Sequence, residues 1–328
     1  MLHKWTEFKL IGVIALKKIL IIGANGFIGS HLARYYSKHN DNEYSITLAC
    51  RDISTVDLHS DHIHAIELDV LDKKHLQPLL SGYDVIYNFA GHSGALSSFY
   101  NYNQNLEVNC RGMLNILDTV KDFENKPLIV FPSTRLVYGH TTSEKVNELF
   151  TPQPNTIYGS NKLAAENYLQ SYSNLFDIPY LIFRISIPYG LFDTKETSGN
   201  YGFINYFINR ALNGDPIQIY GDGTQKRDII YIQDLVSILY KSVHEFKLRN
   251  NILNLGGTEV ISVGEIADLV ANKFGTNVNK INWTKELERI ETGDMVLDSS
   301  ALYSQIGFTP QFKLKDYLQI MRGGEENA

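Results

Sequence analysis

Cysteine is scarce in this chain: only Cys50 and Cys110 occur in 328 residues. Two thiols cannot build a disulfide framework, and they lack metal-ligand spacing, so the expected setting is a reducing cytoplasm. Long apolar runs are missing too. The stretch from Leu10 to Leu16 is cut off by Lys17 and Lys18, well short of the roughly 18 uninterrupted apolar residues a membrane span requires, and no export signal is visible. Basic clusters are also absent. The formal net charge is −6, whereas neutralising the phosphates of a nucleic acid takes concentrated Lys and Arg. Disulfide-stapled, membrane-spanning and nucleic-acid-binding classes are therefore excluded from the expectation.

What is present is the balance of an ordinary soluble globular protein, 44% hydrophobic and 20% charged, long enough for two domains or one with an appended lobe. Residues 1–16 precede the natural opening at "KKILIIG" and are read as an N-terminal extension without an assigned role. From Lys18 onward, strand-like and helix-like segments alternate. "KILIIG", "YSITLAC" (44–50), "IHAIEL" (63–68), "DVIYNFAG" (84–91), "PLIVFP" (127–132) and "PYLIFR" (179–184) are short apolar runs suited to strands covered on both faces. Between them, "ANGFIGSHLARYYSK", 106–123 and 161–176 carry helical periodicity. The pattern predicts an α/β fold built on a doubly wound parallel sheet. After about Ile187, Gly, Asn and Tyr become frequent, which predicts a smaller C-terminal lobe with longer loops; "GFINYFINRALNG" and 262–275 read as helices within it. The stretch 229–243 reads as a return to the sheet followed by a helix.

"GANGFIG" places Gly23, Gly26 and Gly29 between the first strand and the first helix, with Asn25, Phe27 and Ile28 among them. Glycines there permit a tight turn and let the backbone approach a pyrophosphate, which faces the free N–H groups of the helix start. At the end of the second strand, 22 residues beyond Gly29, stands Arg51, followed by Asp52. An acidic residue there grips the ribose of NAD, while Arg suits the extra phosphate of NADP, so Arg51 tilts the cofactor towards NADP; the other reading stacks Arg51 over the adenine and leaves Asp52 on the ribose of NAD. Asp69, before Val70, is either a contact to the adenine amino group or a solvated strand-end carboxylate. His59, His62 and His64 alternate along a strand edge with no Cys nearby, so no metal site is expected.

"YGSNK" (158–162) sets Tyr158 four places before Lys162. Such a pair arises about once by chance in a chain of this composition, so its position has to give it meaning. "GANGFIG", "NFAG" (88–91), "PSTRLVYG" (132–139), "YGSNK", "GDGTQKRD" (221–228) and "NLGG" (254–257) follow one another in an order that resembles the extended short-chain dehydrogenase/reductases, the NAD-dependent epimerase/dehydratase family of nucleotide-sugar enzymes. The resemblance spans roughly residues 17–320. It implies a Rossmann-type dinucleotide-binding domain over 17–187 with return segments at about 229–257, and a substrate-binding lobe over 188–228 and 258–328. Homodimers joined through helices like 106–123 and 161–176 are also implied.

The resemblance makes Tyr158 the acid/base, Lys162 its electrostatic partner and a ligand of the nicotinamide ribose, and Thr134 the hydroxyl that binds the reacting oxygen. A phenol with a pKa near 10 is a poor base at neutral pH. A Lys ammonium at about 4 Å, with an effective dielectric of 20, attracts the phenolate by about 4 kcal/mol, enough to lower that pKa by roughly three. The resemblance further assigns Val70, Phe89, Ala90 and Gly91 to the cofactor, and Ser133, Thr134 and Arg227 to the substrate; His92, directly after "NFAG", stands near the expected nicotinamide pocket, where it would touch substrate or cofactor. Arg227 suits a diphosphate, or else a structural ion pair. Asn109 matches a residue that organises the site, with helix packing as the alternative.

Family members that eliminate water carry an Asp-Glu pair after the threonine; Arg135 and Leu136 stand there, which disfavours a 4,6-dehydratase. The expected activity is a nucleotide-hexose 4-epimerase, with an NADPH-dependent 4-ketoreductase as the alternative and a non-enzymatic NADP-binding regulator behind both.

Overall fold

A computed structural model of the protein describes residues 17–39, 43–56, 58, 62–141, 145–190 and 202–321. The extension expected over 1–16, and His59 of the histidine group, lie outside these residues. In chain order the strands are β1 (Lys17–Ile22), β2 (Tyr44–Cys50), β3 (Ile63–Glu67), β4 (Val85–Asn88), β5 (Leu128–Thr134), β6 (Tyr180–Ile185), β7 (Ile187–Tyr189), β8 (Ile217–Tyr220), β9 (Lys226–Tyr231), β10 (Asn251–Leu255), β11 (Glu259–Ser262) and β12 (Val278–Ile281).

Seven of them form one parallel sheet in the order β10-β6-β5-β4-β1-β2-β3. β1 shows why the runs are uninterrupted by polar residues. Its Ile19 and Ile21 enter the core under the helices Phe27–Lys38 and Ile232–Ser242, while Leu20 and Ile22 enter the opposite core. The second core packs against the helices Lys73–Leu80, Gly112–Val120 and Ile157–Phe176. Strand order reverses between β1 and β4, and the crevice at such a reversal is where a doubly wound sheet receives its ligand.

Two expectations need correcting. The helix read over 106–123 is not uniform: α-helix over Tyr102–Leu106 passes through a π-turn at Glu107–Arg111 into α-helix over Gly112–Val120. The apolar run starting at Ile229 does not return to the large sheet. It belongs to β9, which pairs with β11 and β7 in a separate three-stranded sheet, whereas β10 takes the edge of the large one.

The lobe has its own core, built from Ile204, Phe207 and Ile208 of the helix Gly202–Leu212, Ile217 and Ile219 of β8, and Ile266 and Val270 of the helix Val263–Phe274. That last helix is set by its ends. Ser262 accepts a bond from the Glu265 N–H while Glu265 accepts one from the Ser262 N–H, a capping box worth about 1 kcal/mol, and Gly275 closes the helix in the left-handed region at φ 71°.

Candidate active site

The turn after β1 determines how closely backbone can approach a ligand. Gly23 has φ 79°, and a Cβ there would lie 2.8 Å from the Phe89 carbonyl carbon. A Cβ on Gly29 would lie 2.3 Å from the Gly23 oxygen, so the helix Phe27–Lys38 sits directly on the strand exit. Gly26 caps that helix with extended backbone and no side-chain bond, which leaves the first-turn N–H groups facing a cavity of about 300 Å³. Such N–H groups, with the positive end of the helix behind them, suit a pyrophosphate.

The cavity brings Gly26, Phe27, Ile28 and Gly29 together with Phe89, Gly91 and His92 beyond β4, Ser133 and Thr134 of β5, and Tyr158 and Lys162 of the helix Ile157–Phe176. Thr156 starts this last helix by accepting a bond from the Gly159 N–H at 3.0 Å, and the Tyr158 N–H donates to Ser98 Oγ at 3.1 Å. Tyr158 and Thr134 line the cavity together. Burial pushes the phenol up to about 12, and the Thr134 side chain opposes this.

Lys162 rests on an aromatic ring. Its Nζ lies 3.9 Å from the centroid of the Phe131 ring, a cation–π contact. Burial pushes the amine down to about 7, with Glu166 and Cys110 acting in the opposite sense. Although i, i+4 spacing puts Tyr158 and Lys162 on one helix face, the electrostatic influence on Tyr158 comes from burial and Thr134. Phe131 of β5 supplies the ring on which the amine rests.

Three asparagines fix the backbone at His92. Asn109 accepts from the His92 N–H at 3.1 Å and donates to its carbonyl at 2.9 Å, while Asn105 donates to that carbonyl at 2.8 Å. Asn161 and Asn109 both donate to Asn105 Oδ1, at 2.8 and 3.1 Å. The π-turn carries Asn109, a common place for such irregularity to serve a site. Below the cavity, Ser133 Oγ donates to Glu166, which also receives Arg184 Nη2 at 2.7 Å and Nε at 3.2 Å. Asn105, Asn161, Glu166 and Arg184 escaped the sequence reading; the one available signal was Glu166 continuing the Tyr158, Lys162 series at the same four-residue step.

Other expected residues lie outside this cavity. Gly23 and Ala90 meet behind it. Asn25 donates to Thr55 at 3.1 Å. Arg51 and Asp52 are exposed after β2, and Asp52 accepts from the N–H and hydroxyl of Ser54. Asp69 accepts from the Leu71 N–H at 2.9 Å, and Val70 is buried against Gly112. Arg227 lines a second cavity of about 260 Å³, with Arg135, Gln218, Tyr220, Gln225, Trp283 and Glu291, and is ion-paired with Glu291. Among the described residues, no group of three or more His, Cys, Asp or Glu is placed to hold a metal ion, and no helix is long and apolar enough to cross a membrane.

The model of the NAD dependent epimerase/dehydratase family matches residues 19–256, more than half of the chain. The protein belongs to that family. Among its relatives, CDP-paratose 2-epimerase of Salmonella typhi is 27% identical, covering 93% of this chain and 98% of the relative. A putative UDP-glucose 4-epimerase of Methanocaldococcus jannaschii is also 27% identical, covering 91% and 95%. The crystal structure of UDP-glucuronic acid 4-epimerase from Bacillus cereus, in complex with UDP-glucuronic acid and NAD, superposes with a TM-score of 0.80 at 26% identity, over 92% of this chain and 96% of that one.

The residues present fit the cofactor of the epimerase/dehydratase family. A Cβ at Gly23 or Gly29 would collide with the backbone that shapes the cradle, and His92 Nδ1 is a buried polar atom without a hydrogen-bond partner among the described residues, on a residue lining the same cavity.

Proposed function

We propose that the protein is a nucleotide-sugar 4-epimerase that acts on an NDP-hexose through a transient 4-keto sugar. The coarser reading, an NAD-dependent enzyme of the nucleotide-sugar epimerase/dehydratase family, is the family's own. The convergence of Tyr158 and Thr134 on the cavity of the glycine cradle supports the finer one, because an alcohol oxidation needs a proton acceptor and an oxygen ligand at one point.

Bound NAD supplies a place for a hydride to go and to return from. The residues of this chain handle the proton and the oxygen. Tyr158, as phenolate, takes the hydroxyl proton from carbon 4, and Thr134 holds that oxygen. After the ketone turns over, Tyr158 gives the proton back as hydride returns to the opposite face, so the sugar is isomerised without net oxidation. A phenol held at about 12 starts as the acid, and a positive charge brought beside it favours the base form. Lys162, one turn along the helix, is the resident source of that charge. Gly26 and the first-turn N–H groups would hold the pyrophosphate of the dinucleotide, and Gly91 and His92 would flank its reacting end.

Arg51, exposed beyond β2, supports a second reading, a 4-ketoreductase that consumes NADPH. Denaturing the purified protein and identifying the released nucleotide separates the two: retained NAD supports the epimerase, and uptake of NADPH by an empty site supports the reductase. Incubation with UDP-, CDP- and dTDP-hexoses then identifies the product. Recovery of only unchanged sugars from every one of them, with NAD bound, would overturn the epimerase reading.

A further inference from the structure

Arg227 stands in the second cavity, where the aromatic pair Tyr220 and Trp283, with ring centroids 5.3 Å apart, forms one wall. Its side chain is almost wholly buried, and its guanidinium is already engaged. Nη1 donates to the carbonyls of Lys226 and Gly293, and Nη2 donates to Glu291 Oε1. Arg135 lines the same cavity and donates to Thr292 Oγ1 at 3.3 Å. Burial and the neighbouring Arg227 both push Arg135 down, to about 9. Two guanidiniums thus share a cavity with Glu291, which faces them from the loop after the helix Lys285–Ile290, while the buried carboxylate of Asp228 also acts on Arg135 without lining the cavity.

The two partners of the ion pair are not equally fixed. The Arg227 side chain is 4% exposed and the Glu291 side chain 26%. Arg227 is also held by β9 and by its bridge to Met295. Glu291 is held by Arg227 and by the Thr292 N–H at 2.9 Å. The acid can therefore leave towards solvent, whereas the base cannot follow it.

We infer that Glu291 is a resident counter-ion that occupies the anion seat of this cavity and that a nucleoside diphosphate displaces to reach Arg227 and Arg135. The inference rests on the nucleotide-sugar reading above. A carboxylate oxygen at Nη2 stands in for a phosphate oxygen, which wants the same charge-assisted bond. With Glu291 in place, a diphosphate meets a site whose charge is largely cancelled and whose best donor is taken. With Glu291 turned out, it meets two guanidiniums beside an aromatic wall. Glu291 accordingly lowers affinity while, with Asp228, it keeps buried Arg227 and half-buried Arg135 compensated when no substrate is bound. It acts as a specificity-setting residue, because an uncharged ligand cannot evict it.

Titration calorimetry on the full-length chain in excess NAD tests this with UDP, CDP, dTDP and GDP as probes. The wild type binds at least one of them, and Arg227→Met weakens that binding. Glu291→Gln tightens it by about tenfold, the worth of one charge-assisted contact that no longer has to be broken. Glu291→Asp, which keeps the charge but shortens its reach, tightens it by less and serves as the readout if the glutamine variant does not fold. Unchanged or weaker binding by the Glu291 variants, with Arg227→Met still impaired, overturns the displacement and leaves the nucleotide-sugar reading standing, with Glu291 then orienting Arg227. No binding of any diphosphate by wild type or variants overturns both.

Discussion

The amine of Lys162 rests 3.9 Å from the centre of the Phe131 ring, and burial holds it near 7 instead of the ordinary 10.5. The unfolded chain therefore binds the Lys162 proton more strongly than the folded one between about pH 7 and 10.5. This contribution to stability is fully present above the unfolded pKa and is lost as pH falls through the folded one. In the cofactor-free protein, the urea midpoint of the wild type relative to Lys162→Met is expected to rise between about pH 6 and about pH 9. Parallel pH profiles for the two proteins would contradict the burial argument.

Tyr158 and Thr134 predict a graded pair of defects. Tyr158→Phe removes the proposed proton carrier and is expected to lower turnover by about 10² to 10⁴-fold, with NAD affinity kept. Thr134→Val removes the hydroxyl that opposes the upward push of burial on the phenol, so its pKa is expected to rise further and the rate to acquire a limb displaced to higher pH. Full pH–rate profiles on both variants check this; an unshifted profile in Thr134→Val would detach that residue from the chemistry.

Gly29→Ala tests the cradle. The new methyl would lie 2.3 Å from the Gly23 carbonyl oxygen, and both partners are backbone, so neither can yield cheaply. The expected cost is about 1–3 kcal/mol of stability from overpacking, together with loss of dinucleotide affinity. Thermal melts and NAD titration read the two effects separately, and retained affinity would mean that the turn has room to spare.

Glu166→Gln leaves Arg184 with only a neutral partner in the interior, since their side chains are 1% and 4% exposed. Breaking such a pair costs about 3–5 kcal/mol. Replacing both, as Glu166→Gln with Arg184→Met, recovers much of that loss because no uncompensated charge remains. Chemical denaturation of the wild type, the Glu166→Gln and Arg184→Met single variants and the double variant decides the matter, and additive losses would rule out the pairing as the cause.

The large sheet was legible in the sequence because a strand buried on both faces must be a short continuous apolar run, as in "KILIIG". The same property hid where β9 belongs, since "IIYI" satisfies a three-stranded sheet as well as a seven-stranded one. The π-turn at Glu107–Arg111 shifts the helical phase without changing composition, so periodicity passes through it unmarked. Gly26, Gly29, Thr134, Tyr158 and Lys162 were brought into one cavity because local turns and i, i+4 spacing place them. Arg227 and Glu291, by contrast, meet across 64 positions of chain, and no local pattern announces such a pair. Arg51, Asp52 and Asp69 follow β2 and β3 and do not line that cavity.

β6 ends at Ile185 in one sheet and β7 begins at Ile187 in another. Ser186, the single residue between them, is pinned on both sides: its N–H donates to the Leu255 carbonyl at 3.0 Å and its hydroxyl to the Asp228 carbonyl at 2.6 Å. Ile185, Ser186 and Pro188 also line the cavity. The joint between the two sheets is therefore a weld rather than a hinge, and the wall facing Thr134 keeps its shape through covalent continuity. Mutations that loosen the lobe's interior should thus reach catalysis through how tightly a ligand is held, and leave the side from which the sugar is approached untouched.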